Sequence, residues 1–445
     1  MKKKGLLGLL ENLSAGQFPH FKSFWAQDSS ASNEQHHEAA NHTSAAGILT
    51  QITLPENPNG IIAGLDIGTS KIVALIGRMD EAGQIEILGY GEAPSEGLTR
   101  GSISNINKTT AGIKEALAEA SASAKVQITQ VITNYSGICN NLDQRGVIIR
   151  ENMINEIDHL DIQRLKKEMD GNLYPPGEQI VFLEPQHYII DDEPDIRDPI
   201  GMAGQRFESD FHVITGEILA IKNLHKCVGL ANRQIKEIYP TAIASAEAVI
   251  CEEEKEEGIA VVDIGAAVTS VSIYKHGILR GSEVIQLGGN SITADIKQYT
   301  GLSSKQAELL KKTYGDLFPE EIDPNEIIQY RLVNSLKDRF ITKADLAVII
   351  QSRMEELIGI ASAIITEALK GRALTFGIVF TGGDALLPNL IRLGEKISGV
   401  KCHIGTPAMH LQESNPDQKL LMTQLKSPMY ATSIGLLKMG LTRVA

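Results

Sequence analysis

Runs of Ile and Val recur along the chain in front of short glycine-bearing turns, the pattern of buried strands that end in tight corners. The first such stretch is Gly64-Leu65-Asp66-Ile67-Gly68-Thr69-Ser70-Lys71. It is followed by an apolar run over 72–76, a turn around 80–83 and another strand from residue 85. The second is Val261-Val262-Asp263-Ile264-Gly265. It is followed by 268–273, a turn around 275–277 and a strand near Val284. One strand–turn–strand–turn–strand unit therefore occurs twice, and such a repeat predicts two similar halves facing each other across a cleft. A third apolar run, 375–381, ends in Phe380-Thr381-Gly382-Gly383-Asp384.

Around these runs the periodicity predicts strands near 61–67, 71–77, 85–92 and 129–135, and a helix over 105–124 with Ile113, Ala116, Leu117 and Ala120 on its apolar face. From 136 to 215 acidic residues become frequent. Tyr174-Pro175-Pro176-Gly177 and the 194–204 stretch break any long element. Strands at 146–150, 179–183, 186–190 and 211–214 with a helix over 161–170 read as a small α+β insertion. A returning strand is expected at 216–220, then a helix over 224–232, a strand over 234–238 ending at Tyr239-Pro240, and a connecting helix over 243–250. Residues 292–350 read as mostly helical. Within them Ser303 and Gln306 have the spacing of a capping box, and Glu308 and Lys311, three apart, share a face. A long helix over 345–369, one opened by Pro388-Asn389-Leu390 and a final one over 430–439 complete the pattern.

The N-terminus has its own signature. Lys2, Lys3 and Lys4 precede Leu6, Leu7, Leu9, Leu10 and Leu13, which at 100° per residue fill one helical face opposite Gly8, Glu11 and Asn12. Phe18, Phe21, Lys22, Phe24 and Trp25 follow. Basic residues beside bulky apolar ones describe a helix lying in an anionic membrane surface. Docking on a partner protein and an unstructured tail stay open. A signal peptide does not fit, because the apolar run is short, Glu11 interrupts it and no clean small-residue cleavage site follows. Residues 27–59, rich in Ser, Ala, Asn and His, read as a flexible linker, with His36, His37 and His42 solvated.

Composition narrows the function classes. A chain of 445 residues has room for about three domain-sized units. A net charge of −13 argues against nucleic acid as the main partner. Cys139, Cys227, Cys251 and Cys402 are scattered, without Cys-x-x-Cys or neighbouring histidines, and read as reduced thiols. No uncharged apolar run reaches the ~18 residues of a membrane span.

The repeated turn carries the candidate chemistry. Gly68 and Gly265 let backbone N–H groups approach an anion, Thr69 and Ser70 add hydroxyl donors, and Lys71 adds a positive charge. Asp66 and Asp263 would repel a bare phosphate, so their natural role is to hold Mg²⁺, directly or through water, between protein and phosphate. At Gly382-Gly383 the missing side chains leave room for an adenine and an α-phosphate against backbone.

These three stretches resemble the two phosphate motifs and the adenosine motif of the actin, sugar kinase and heat-shock chaperone superfamily. Within it the chain is similar to the FtsA family of bacterial actin-like cell-division proteins. The resemblance also rests on Gly97-Leu98-Thr99-Arg100-Gly101, Glu184-Pro185-Gln186-His187-Tyr188, Asp198-Pro199-Ile200-Gly201-Met202, Ala244-Ser245-Ala246-Glu247-Ala248-Val249 and Gly288-Gly289-Asn290, and spans 60–440. It implies an α/β, actin-like two-domain ATPase fold with duplicated mixed-sheet halves around a nucleotide cleft and an inserted small α+β subdomain.

The expected division is 1–26 amphipathic segment, 27–59 linker, 60–135 and 216–246 first domain, 136–215 insertion, 247–290 and 352–407 second domain, 291–351 its helical subdomain, and 408–445 the return to the first domain. The resemblance implies ATP and Mg²⁺ as ligands, with Gly288, Glu308, Lys311, Gly382, Gly383 and Asp384 joining the phosphate turns. A solvated Glu308–Lys311 salt bridge is the equal rival reading of that pair.

By the same resemblance the protein tethers the tubulin-like FtsZ to the cytoplasmic membrane, self-associates into filaments and meets later divisome proteins through the insertion. Arg353 matches a basic position of the FtsZ-contacting helical subdomain, and a surface ion pair is its alternative. Two departures weaken hydrolysis. Tyr239 stands where filament-forming relatives have a water-positioning Glu, with Glu247 a weak substitute. Ala266, Ala267 and Val268 replace a hydroxyl-bearing second turn. ATP binding with slow or negligible turnover is the expectation. The family's anchor helix lies at the far C-terminus, whereas the chain ends five residues past Gly440. The anchor is thus expected either at 1–13 or not in this protein. A pilus-assembly adaptor of the same fold and, more remotely, a sugar-kinase-type enzyme are the alternative functions.

Overall fold

The computed structural model describes residues 57–58, 60–150, 156–171, 174–333, 337–411 and 419–442. The expected membrane-surface segment of Lys2–Lys4 and Leu6–Leu13, and nearly all of the expected 27–59 linker, lie outside these residues.

The first apolar runs form Ile62–Ile67 (β1), Lys71–Met79 (β2) and Ile85–Pro94 (β3), paired antiparallel. The two-residue strands Leu98–Thr99 (β4) and Ser102–Ile103 (β5) close a tight corner. The helix Ile106–Ala124 (α1) then starts at Asn105, whose side chain accepts from the Lys108 N–H, and returns the chain to Gln130–Tyr135 (β6) beside β1. Period two decides the faces. Ile72, Ala74 and Ile76 pack with α1, while Val73 and Leu75 point to the opposite, inner face.

The insertion contains Cys139–Ile149 (β7), His159–Glu168 (α2), Glu178–Ile190 (β8), Glu193–Ile196 (β9) and Arg206–Glu217 (β10). Its antiparallel order is β7-β10-β8-β9, and α2 places Leu165 against the Phe207–Phe211 face. Two of the expected strands are one. β8 runs through Pro185 because a bulge at Gln186 separates the Asp210–His187 and Phe211–Pro185 pairs and absorbs the missing N–H. The strand expected at 216–220 is instead the end of β10 and the start of the helix Ile218–Leu230 (α3). Ile221, Leu224 and Val228 there recur at helical spacing and are buried. Gln234–Pro240 (β11) joins β6, and Thr241–Val249 (α4) and Glu252–Glu257 (α5) lead to the second half.

That half repeats the first. Ile259–Ile264 (β12), Thr269–Lys275 (β13) and Ile278–Ile285 (β14) are antiparallel. After Gly289–Thr300 (α6) and Ser304–Tyr314 (α7), a ribbon of Ile327–Arg331 (β15) and Asp338–Thr342 (β16) interrupts the stretch expected to be helical. Ile328 and Ile341 face the core from directly opposed positions, a period-two pattern hidden in a short apolar run. Lys343–Leu369 (α8), Gly377–Thr381 (β17), Leu390–Ser398 (α9), Cys402–Ile404 (β18), Lys419–Leu425 (α10) and Ala431–Thr442 (α11) follow. The two five-stranded sheets read β3-β2-β1-β6-β11 and β14-β13-β12-β17-β18. In each, the first two pairings are antiparallel and the last two parallel. Helices α4 and α11 cross between the sheets, so closely that a Cβ on Gly435 would collide with the Ala244 carbonyl.

Candidate functional site

The two repeated turns have the same geometry. The Gly68 N–H donates to the Lys71 carbonyl at 3.1 Å, and the Gly265 N–H to the Val268 carbonyl at 3.1 Å. A Cβ at either glycine would stand 2.9 Å from the accepting oxygen. Thr69 and Ser70 continue the first turn at half-buried and exposed positions, and Ala266 and Ala267 occupy the second.

Two residues before each glycine, Asp66 and Asp263 point to the inner faces, where α11 crosses. Adjacent residues of that helix serve both. Thr432 Oγ1 donates to Asp263 at 3.2 Å, and Ser433 Oγ to Asp66 at 3.1 Å. Asn134, at the end of β6, donates to Asp66 Oδ1 at 3.1 Å and accepts the Ile67 N–H at 2.8 Å. The same amide lies within hydrogen-bond reach of Ser136 and Thr241, which ties the start of α4 to the cleft. Burial, with the neighbouring Asp263 charge, pushes the Asp66 carboxyl up to about 7. Burial pushes Asp263 up to about 6 against the hydrogen bonds of Thr432 and Ser245. Two desolvated carboxyls from opposite halves form a hard oxygen donor set that a divalent cation would relieve.

Gly288 lies over the second turn, with the Gly289 N–H donating to the Gly265 carbonyl at 3.0 Å. Gly382 has φ +91°, and a Cβ there would meet Asp263 Oδ1 and stand 2.6 Å from the Ile264 carbonyl. Gly383, by contrast, is exposed with open space around its Cα. Gly382 is buried against Asp263, while Gly383 leaves backbone accessible next to it.

Lys311 departs from the solvated-pair alternative. Only 3% of its side chain is exposed, and its ammonium donates to Asp384 Oδ1 at 2.7 Å and the Gly289 carbonyl at 3.1 Å, with Glu308 Oε2 at 3.1 Å. Thr293 completes the Glu308 site at 2.5 Å. Burial raises the Asp384 carboxyl, with Lys311 opposing. Gly288, Glu308, Lys311, Gly382, Gly383 and Asp384 are thus brought together around the start of α6.

Other predicted residues are engaged elsewhere. Lys71 lies 3.0 Å from Glu92 rather than free at the turn. Arg353 binds Asp295 with both arms, at 2.7 and 3.1 Å, and Glu356 at 2.5 Å, linking α8 to α6. Glu247 is held by Lys255 at 2.5 Å and Lys438 at 3.5 Å, which keeps its carboxylate below the usual range despite burial. Tyr239 is buried with its hydroxyl on Glu237. The cleft residues that pattern reading missed are Asn134, Thr241, Thr432, Ser433, Glu92 and Tyr430. Asn134, next to last in the parallel strand β6, is a polar residue at the strand's C-terminal end, the place where such sheets put binding groups.

Duplicated sheets in one strand order, crossing helices between them and one aspartate from each half define an actin-like two-domain protein. The solved PilM–PilN type IV pilus biogenesis complex has a chain of the same fold, with TM-score 0.62 and 16% identity over 85% of this chain and 98% of that one. The family model "Cell division protein FtsA" matches residues 260–435, and "SHS2 domain inserted in FTSA" matches 139–215, the four-stranded insertion. The cell division protein FtsA of Neisseria meningitidis serogroup B is 33% identical over 86% of this chain and 90% of its own. That of Bacillus subtilis is 30% identical over 86% and 84%. The chain belongs to the FtsA family of cell-division proteins.

Proposed function

We propose that this protein is an ATP-loaded adaptor that assembles at the cytoplasmic membrane and tethers FtsZ there during division. The twin glycine turns, each with its aspartate turned toward α11, are the observation that carries this reading. In it, Gly68–Lys71, Gly265 and Gly288 take the phosphates. Glu308, Lys311 and Gly382–Asp384 take the adenosine, and Asp66 and Asp263 hold Mg²⁺. Bound there, Mg²⁺ supplies the positive charge that lets two carboxylates and a polyphosphate share one cleft. Asn134, Thr432 and Ser433 orient those carboxylates.

Turnover is slow or negligible. Tyr239 offers no carboxylate to position water, and the Glu247 charge is spent on two lysines. A steady-state rate of ~1–100 s⁻¹, usual for kinases, would overturn that part. Filament assembly joins copies of the chain, and the SHS2 insertion meets later divisome proteins. The helical part of the second half, with Arg353 at the α6–α8 junction, meets FtsZ. The membrane contact is assigned to Lys2–Lys4 with Leu6, Leu7, Leu9, Leu10 and Leu13. Among the described residues no helix is long and apolar enough to cross a membrane.

The test is co-sedimentation with anionic liposomes, with and without Mg-ATP and FtsZ, beside a chain lacking residues 1–25. Recruitment of FtsZ by the full chain alone is expected. Recruitment by both chains would move the membrane contact away from the N-terminus. Mg-ATP binding without contact to membrane or FtsZ would remove the tethering role.

A further inference from the structure

Lys71 has a second seat, built from parts of the chain far apart in sequence. It opens β2 on the inner face, followed there by Val73 and Leu75. Glu92 is the register partner of Val73, and Tyr90 that of Leu75, so both stand on the same face. One oxygen of Glu92, Oε2, receives the Lys71 ammonium at 3.0 Å, the Tyr90 hydroxyl at 2.7 Å and the Tyr430 hydroxyl at 2.9 Å. The same ammonium lies 3.5 Å from the centroid of the Tyr430 ring. Gln424, on α10, donates to both tyrosine hydroxyls, at 3.0 and 2.5 Å. Burial opposes ionisation of Glu92, but these donors hold its carboxylate below the usual range.

Lys71 also closes the phosphate turn, its carbonyl accepting the Gly68 N–H at 3.1 Å, and its charge opposes the upward shift of the Asp66 carboxyl. The ammonium sits on a flexible four-carbon stem that starts at the phosphate turn and ends on Glu92. The second seat is wired to the far half. Two residues before Tyr430, the Pro428 carbonyl accepts the Gly382 N–H and the Thr381 hydroxyl, each at 3.2 Å. Two and three residues after it, Thr432 and Ser433 hold Asp263 and Asp66.

We propose that Glu92 and Tyr430 compete with nucleotide phosphate for the Lys71 ammonium, so that occupancy of the cleft is transmitted to the 428–433 segment entering the last helix. This rests on the nucleotide reading of the cleft. A phosphate that draws Lys71 across leaves Glu92 with only hydroxyl donors and removes the cation from the Tyr430 face. Both changes loosen the join between the first sheet and the segment that holds Gly382.

The test is calorimetric titration of Mg-ATP into the full chain and into Glu92→Gln, Lys71→Met and the double variant, with hydrogen exchange across 428–433. Glu92→Gln keeps the shape of the seat and removes its charge. It is expected to tighten Mg-ATP binding by about three- to tenfold, the scale of a partly exposed ion pair. Lys71→Met weakens binding, and in that background Glu92→Gln has no further effect. Exchange across 428–433 rises with Mg-ATP in the unsubstituted chain but not in Lys71→Met. Glu92→Asp, which withdraws the carboxylate by one methylene, repeats the direction of Glu92→Gln if that variant folds poorly. Weaker or unchanged binding in Glu92→Gln, beside a weakened Lys71→Met, would make Glu92 an orienting group and overturn the proposal. An unweakened Lys71→Met would overturn it as well. A full chain that binds no Mg-ATP would instead remove the nucleotide reading itself.

Discussion

The neighbouring glycines Gly382 and Gly383 separate the fold's needs from the ligand's. Gly382 has φ +91°, and a Cβ there would collide with Asp263 Oδ1 and stand 2.6 Å from the Ile264 carbonyl. Backbone strain in this glycine-favouring region costs about 1–3 kcal/mol, and forcing a methyl into packed backbone about 1–3 kcal/mol more. Reduced freedom of the unfolded chain returns about 0.4–1 kcal/mol. Gly382→Ala is therefore expected to lose about 2–4 kcal/mol, which for a folded unit of this size lowers the thermal midpoint by roughly 3–5 °C. Gly383 has an ordinary backbone conformation and nothing within 4 Å of a Cβ, so Gly383→Ala is expected to leave stability within about 0.5 kcal/mol. In the proposed nucleotide reading its methyl would nevertheless stand where adenosine lies against backbone, and binding of Mg-ATP is expected to weaken about tenfold or more. Scanning calorimetry of both variants without nucleotide, then titration with Mg-ATP, makes the comparison. A Gly382→Ala chain as stable as the original, or a Gly383→Ala chain that binds Mg-ATP unchanged, would refute the reasoning.

Lys311→Met leaves the Asp384 carboxyl buried without its cation and is expected to cost about 3–5 kcal/mol in urea unfolding, partly restored by adding Asp384→Leu. Asp66 and Asp263 titrate near 7 and 6, above the ordinary carboxylate value, so the native chain holds more protons than the unfolded one between about pH 4 and 7. The thermal midpoint without nucleotide should therefore fall as pH rises through that window, and the slope should flatten in the Asp66→Asn/Asp263→Asn chain. Of the four cysteines only Cys251 is exposed, while burial pushes Cys139 up to about 12 and Cys402 up to about 11. A thiol reagent at neutral pH should label one site quickly and the others only on unfolding; fast labelling of Cys139 would contradict its packing. Gly435→Val should separate α4 from α11 and destabilise the chain more than Gly382→Ala, read by the same calorimetry.

Local pattern determined much of this protein. Ile and Val runs in front of glycine were enough to predict the duplicated turns, because a buried strand and a tight corner leave their mark within a few residues. Asp66 and Asp263 were legible for the same reason, each two residues before its glycine. The pattern misled where one local signal served two elements. The 216–220 run closes β10 and opens α3, and the 327–342 ribbon alternates over too few residues to stand out from helix.

Tertiary structure alone decided what the charged groups do. Lys311 is buried on Asp384 across seventy-three residues of sequence, and Lys71 is bound by Glu92 and Tyr430. Arg353 is closed by Asp295 and Glu356. Whether a lysine reaches a ligand or a carboxylate depends on which donors and acceptors the fold brings within about 3 Å of it, and on how far burial strengthens each pairing. The same holds for Thr432 and Ser433. Nothing in their local sequence marks them as partners of two aspartates 169 and 367 residues away, and they become so because α11 crosses between the halves beside both turns.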